Sequence, residues 1–541
     1  MAVLFALAVA PLTFLVGAAL DYSGASNLKA HLQKATDGTG LRLCQIPNKP
    51  KKKELEDVAT KMMNEYFGSA PYTIEDLQVS DNPRTVQIRT KSVFYTAIIK
   101  GLNSNFATIP VTATAACLGE PQTFEIALVL DNTGSMAASG GGQSKIQALR
   151  TAAKDFVDFV YGNNGMKDTT KVSLVPFAAS VAVNPSSYRS ASWIDQAGNA
   201  SYHWNFVQGG KAVAQSVGAT NRFDAFNQLR LSVPAWDWAG CFESLPYPLN
   251  VRDNAPTPSN PDSYFVPMFA PDETGDGGQV WHQDSSGNWR LSANSYMDDQ
   301  NGIAGCGPST DENTRFGRGC KYFSVQNPRT SNGSLATGPN FGCTTRPLTQ
   351  LTDAKGTLIS EIDQMQPNGN TDAHEGFMWG WRTISPNSVF SSDAAAYNKA
   401  FNNKIIILMT DGANRWTYNP YSPSASSYYS SYGFFRNGDG TTPNNRLPAA
   451  NANPTNDAQS RNAIDALTLE SCSNARAAPS KILIYTIGFS VSSDPIDQQG
   501  IDMLRACAGS SDRAFIANDS NALVDVFRKI AQDISGLRLT N

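Results

Sequence analysis

Apolar and polar positions follow three different periods along this chain. Residues 1–20, MAVLFALAVAPLTFLVGAAL, carry no charge. At helical rise that length matches one crossing of a bilayer, and Pro11 would kink such a helix without forbidding it. Ala25, Leu28, Leu32 and Ala35 then recur at steps of three and four, so the helix is expected to continue, now amphipathic, through Lys34. Residues 50–67 form a second amphipathic pattern, with Leu55, Val58, Met62 and Tyr66 on one face. The pattern then shortens to period two in YTIEDLQV, RTVQIRTKSVF and IPVTATAA, which predicts a small antiparallel sheet after the helices.

Beyond the breaker Gly119-Glu120-Pro121 the strands change character. Residues 124–130, KVSLVPF (171–177), the KIIILM run from 404 and KILIYTIGF (481–489) are nearly continuous apolar runs. Such runs belong to parallel strands buried on both faces. Helical patterns separate them at 143–161, 348–365, 372–383, 463–478, 501–506 and 522–537, and a short edge strand is expected at 514–517. Alternation of this kind predicts an α/β, doubly wound, mostly parallel sheet with helices on both faces. The periodicity fails at about 184–346, which holds six of the nine tryptophans and four cysteines. This stretch is too aromatic for a disordered linker. It is read as a large insertion, either a partner-selective surface or a cap with its own small core. Residues 412–459, rich in Tyr, Ser and Asn, form a second irregular stretch, expected to fold over the strand ends or to be mobile.

The candidate chemistry sits where strand 124–130 ends. Asp131, Thr133 and Ser135 follow at alternate positions, with Gly134 allowing a tight bend. One carboxylate and two hydroxyls make a hard, oxygen-only, weakly charged site, which suits Mg²⁺. NGNTDA (368–373) places Thr371 in a loop before a helix, and KIIILMTDG (404–412) ends a second buried strand in Asp411. Phosphoryl-transfer chemistry finds no support: no G-x-x-x-x-G-K-[ST] loop is present, and His374-Glu375 is not H-E-x-x-H, because position 378 is Met. The chain is therefore expected not to be an enzyme. A formal net charge of -4, with Lys51-Lys52-Lys53 as the one tight basic run, argues against nucleic acid as a partner. The eight cysteines form no C-x-x-C pair and only four histidines exist, so disulfides in an oxidising compartment are expected rather than zinc. Eight cysteines allow 105 pairings. Position along the elements favours Cys44–Cys117 and Cys472–Cys507, and nesting suggests Cys306–Cys320 and Cys241–Cys343 in the insertion.

Asp-x-Thr-Gly-Ser, a distant loop threonine and a strand-end Thr-Asp-Gly together resemble the von Willebrand factor A domain. That resemblance implies a metal-ion-dependent adhesion site in which Asp131, Thr133, Ser135, Thr371 and Asp411 bind the ion directly or through water. The ion would be Mg²⁺, with Mn²⁺ or Ca²⁺ as alternatives, and a partner protein would offer it a carboxylate. The LFALAVAPLTFLVGAALDYS start, the LKAHLQKATD helix and the TLESCSNARAAPSKILIYTIGF and LRACA stretches resemble TadG-type proteins of Flp/Tad pilus assembly. This implies a transmembrane helix at 1–20, a pilin-like (TadE/TadG-like) module at 21–118 and the A domain at 119–541. It also implies a single-pass protein of the bacterial inner membrane with its bulk in the periplasm, and partners among pilus or pseudopilin components. The alternative is a structural envelope protein whose A domain is a metal-free scaffold. On the adhesion reading, Asp131→Ala is expected to lower divalent affinity and abolish partner binding while leaving the fold largely intact.

Overall fold

The computed structural model describes residues 2–44, 46, 52–68, 70–81, 84–101, 104–118, 122–139, 142–162, 166–275, 278–283, 286–297, 309–323, 338–422 and 426–537, with side chains of the first helix described from Val16 onward. The chain divides into two compact units, Met1–Gln122 with the last residues from Leu537, and Thr123–Gly536.

In the first unit a long helix, α1 (Ala2–Cys44), and a second, α2 (Lys52–Phe67), pack on an antiparallel sheet ordered β1 (Tyr72–Asp81), β2 (Arg84–Tyr95), β3 (Thr108–Leu118). α1 runs ten residues beyond the expected end at Lys34, despite Gly38 and Gly40. Tertiary packing offsets the poor helix propensity of glycine. A Cβ on Gly40 would stand 3.0 Å from Ala115 Cβ, so the small residue lets helix and sheet approach closely. Leu32, Ala35 and Leu43 of the helix are buried against Met63, Val86 and Val111. Asp21, near the middle of α1, is a further anchor, its carboxylate accepting the backbone N–H groups of Ala97, Ile98 and Ile99 at 2.8–2.9 Å. The expected membrane span at 1–20 is not supported among the described residues. Among the described residues no helix is long and apolar enough to cross a membrane, and most of that stretch lies outside the described side chains.

The second unit is a six-stranded sheet. Its strands are β4 (Thr123–Asp131), β5 (Thr170–Phe177), β8 (Thr349–Thr352), β9 (Asn402–Thr410), β10 (Leu483–Phe489) and β11 (Ala514–Ala517), in the order β11-β10-β9-β4-β5-β8. All neighbours are parallel except β5 and β8. β8 occupies residues read from the sequence as the start of a helix. Ala127, Val129, Ile406 and Leu408 share one core with the helices Ala373–Ile384, Asp457–Arg476 and Gln498–Ala508. The alternate residues Ile126, Leu128, Ile405 and Ile407 are equally buried and point to the opposite face. On that side α3 (Lys145–Gly162) meets Ser520–Leu537 through the edge-on rings of Phe156 and Phe527. The helix Ala373–Ile384 lies very close to the sheet. A Cβ at Gly380 would be 2.3 Å from Val129 Cγ2, and one at Gly376 would be 2.5 Å from the Phe177 ring.

Among the described residues the buried tryptophans of the insertion belong to the core shared with the sheet. Trp204, Trp236 and Trp238 are buried, and Trp379 of the sheet-covering helix is stacked by Phe242 at 5.7 Å and met by the tilted ring of Phe265 at 5.3 Å. The hairpin β6 (Gly278–Gln283) and β7 (Trp289–Ser295) leaves Trp281 and Trp289 more than half exposed. The second irregular stretch is also folded: Trp416, Tyr432 and Phe435 are buried with Val251 and Ile464. Cystine bridges join Cys44–Cys117, Cys241–Cys343 and Cys472–Cys507, as expected. The proposed Cys306–Cys320 pair involves Cys306, which lies outside the described residues.

Glu273, in the insertion, supplies a test of burial. One carboxyl oxygen accepts the N–H of Ala293 at 2.7 Å, and the other is enclosed without a hydrogen bond. Burial first, and then the neighbouring Asp272, push this carboxyl up to about 8. An acid raised in the folded state contributes stability that is complete below its unfolded pKa and is lost as pH rises through the folded one. Urea unfolding midpoints are therefore expected to fall between pH 5 and 8.5, and Glu273→Gln should flatten that decline. An unchanged slope in the variant would exclude Glu273 as its source.

Candidate metal centre

β4 and β9 are parallel neighbours in register, Leu130 opposite Met409, so Asp131 falls level with Thr410, the residue before Asp411, at the carboxyl end of the sheet. In open α/β sheets this edge is where ligands bind. Two more segments are stitched to it by backbone. Gly134 N–H donates to Gly369 O at 2.9 Å, and Asn368 N–H to Asn132 O at 2.9 Å. The wholly buried Asn132 side chain also donates to Gln366 O. The loop carrying Thr371 is thereby fastened to the Asp131 loop. Arg415 N–H donates to Thr371 O at 2.8 Å, which ties in the segment after β9.

Asp131 is the hub. One carboxylate oxygen accepts the N–H and the hydroxyl of Thr133 at 2.8 and 2.6 Å, and the other accepts the Thr410 hydroxyl at 2.6 Å. Thr133 and Ser135 hydroxyls lie 3.0 Å apart, and Ser135 donates to Asp411 Oδ1 at 2.8 Å. Burial first, and then Asp411, raise the Asp131 carboxyl to about 7. Burial also raises that of Asp411, with Lys145 pulling in the opposite direction.

The five predicted residues are brought together, in two layers. Ser135, Thr371 and Asp411 line a cavity of about 290 Å³, shared with Arg415 and Asp494. Asp131 and Thr133 sit behind it, fully enclosed, and do not line the cavity. The loop is thus enclosed at Asp131 and Thr133 and exposed at Gly134 and Ser135. The donor set fits a hard divalent ion. It is oxygen-only and comes from three loops, and it sets two raised carboxyls side by side that a cation would relieve. Ser135, Thr371 and Asp411 would hold such an ion, and Asp131 and Thr133 would fix them. The set is hydroxyl-rich; among the described residues no three His, Cys, Asp or Glu side chains gather as a site.

Three contributors were not singled out from the sequence. Thr410 closes the Asp131 hydrogen-bond set. Lys145, with a wholly buried side chain, places its ammonium 2.8 Å from Asp411 Oδ2 and 2.7 Å from Asp494 Oδ2. Lys145 opens α3, and a cation at a helix N-terminus opposes the macrodipole. That misfit was the available signal. Asp494 follows β10, another strand ending at the same sheet edge.

Residues 1–41 match the family described as Putative Flp pilus-assembly TadE/G-like. This relates the amino-terminal segment to Tad pilus proteins. No curated protein matches the sequence. Among solved structures, the vWF domain of the type V pili tip protein Mfa5 from Porphyromonas gingivalis aligns at 10% identity. The alignment covers 77% of this chain and 96% of that one, with a TM-score of 0.34. The PilB minor pilin from Streptococcus sanguinis aligns at 11% identity over 86% and 78%, TM-score 0.33. The pilus adhesin SpaC from Lactobacillus rhamnosus GG aligns at 12% identity over 86% and 35%, TM-score 0.31.

Proposed function

We propose that this chain is an envelope-anchored assembly or adhesion component of a Tad (Flp, tight-adherence) pilus, which grips a partner protein through a divalent ion. The observation that carries this reading is the convergence of Ser135, Thr371 and Asp411 on one open cavity, braced by the Asp131 hub. The TadE/G-like match at residues 1–41 supports the pilus context. Mg²⁺ suits the neutral hydroxyls best, with Mn²⁺ or Ca²⁺ as substitutes. A cation so little neutralised by its ligands attracts an incoming carboxylate, here one offered by a pilin or pseudopilin component. The uncharged residues 1–20 are the membrane anchor in this reading. The body lies on the extracytoplasmic side, where its disulfides persist. The role is binding rather than catalysis. His374, the histidine nearest in sequence to Thr371, has both ring nitrogens engaged, by Tyr432 and by Asn250 O.

The second reading, a metal-free scaffold, is favoured by one observation: the Lys145 ammonium already faces Asp411. Calorimetric titration of the detergent-solubilised full chain with Mg²⁺ and Mn²⁺ separates the two. Saturable binding, together with recovery of pilus components on the chain that EDTA reverses, is expected. Absence of divalent binding and EDTA-insensitive recovery would favour the scaffold.

A further inference from the structure

We propose that Lys145 is an internal counter-cation that competes with the divalent ion for Asp411, and that Asp494 is the carboxylate to which Lys145 retreats when the ion binds. This rests on the metal reading of the site.

The Lys145 side chain is completely enclosed, so its ammonium cannot exchange a carboxylate for bulk water. Its acceptors are Asp411 Oδ2 at 2.8 Å, Asp494 Oδ2 at 2.7 Å and the Asp494 carbonyl at 3.3 Å. The two carboxylates differ in freedom. Asp411 is wholly buried and held at its other oxygen by Ser135, whereas the Asp494 side chain is 45% exposed. Both line the same cavity as Ser135 and Thr371. An ion taking Asp411 Oδ1 would stand on the far side of a carboxylate whose Oδ2 already faces an ammonium. Two cations then share one anion at short range in a poorly solvated place, and each weakens the other's hold. Two of the three acceptors of Lys145 belong to Asp494, so the ammonium can loosen from Asp411 without becoming unpaired. Without the Asp494 carboxylate its one remaining anionic acceptor is Asp411, and the neutral carbonyl at 3.3 Å does not replace it.

The two residues should therefore shift divalent affinity in opposite directions. Mg²⁺ and Mn²⁺ are titrated calorimetrically into the detergent-solubilised full chain, as wild type, Lys145→Met and Asp494→Asn, with circular dichroism as the folding control. Lys145→Met should tighten both ions about tenfold or more, and Asp494→Asn should weaken both by a similar factor. Binding by Lys145→Met where wild type shows none would also support the proposal, since the ammonium alone would then close the site. An affinity in Lys145→Met equal to or weaker than wild type overturns it and leaves the metal reading standing. Silence in both wild type and Lys145→Met overturns the inference and the metal reading together. If Lys145→Met does not fold, Asp494→Asn decides: it keeps the Lys145–Asp411 pair, and an unchanged or tighter affinity in it overturns the proposal.

Discussion

Asp131→Ala should cost the second unit about 2–4 kcal/mol and remove measurable Mg²⁺ binding. The stability loss departs from what a surface loop would show, and the reason is burial. Asp131 is fully enclosed and accepts hydrogen bonds from Thr133 N–H, the Thr133 hydroxyl and the Thr410 hydroxyl. Truncation removes their shared acceptor, at roughly 1–3 kcal/mol for each group left unpaired where water cannot reach. Relief of the desolvated carboxylate, which is raised to about 7, offsets part of this. Metal binding fails because Thr133 and Ser135 lose the anchor that orders their loop. Asp131→Asn, which keeps the shape and one acceptor oxygen, should recover most of the stability and little of the affinity. Urea unfolding and calorimetry on the same three proteins test this. Wild-type stability in Asp131→Ala would mean that the loop is ordered without its hub.

Glu243→Ala should be more damaging still, by about 3–5 kcal/mol, and its effect falls on the insertion. The Arg222 and Arg446 side chains are wholly buried, and both depend on this one carboxylate. Arg222 Nη1 donates to Glu243 Oε1 at 2.6 Å and Arg446 Nη2 donates to Oε2, while the Tyr429 hydroxyl donates to Oε1 at 2.5 Å. The two guanidiniums hold the carboxyl below its ordinary value against the opposing effect of burial. Removing one partner of a buried ion pair costs far more than the pair contributes, because the remaining charge stays desolvated. Here two positive charges would remain. Arg222 begins the insertion helix Arg222–Ser232, whereas Tyr429 and Arg446 belong to the second irregular stretch, so Glu243 joins two segments that lack periodicity of their own. Near-ultraviolet circular dichroism and limited proteolysis should report loosened tryptophan packing in the insertion. Retained protease resistance and an unshifted urea midpoint would contradict this.

The frame of the second unit was legible in the residues themselves. Runs such as KIIILM and KILIYTIGF can be satisfied only in a strand covered on both faces, and the intervening amphipathic helices supply the covers. β8 was missed because four residues, TQLT, carry no period, and their strand character exists only through pairing with β5. α1 outran its pattern because its last ten residues are helical through contact with the sheet rather than through propensity. The Asp131, Thr133 and Ser135 triplet was readable because it is local. Its division into an enclosed hub and an exposed rim was not, since burial depends on where the Thr371 loop is fastened. Lys145 and Asp494 are the limiting case. They stand 349 residues apart, and nothing local to either position pairs one with the other. Sequence determines which residues alternate, cap and turn, because those preferences act within a few residues. Which charges meet is decided when parallel strands bring their carboxyl ends to one edge, and only the tertiary structure places the Lys145 ammonium between Asp411 and Asp494.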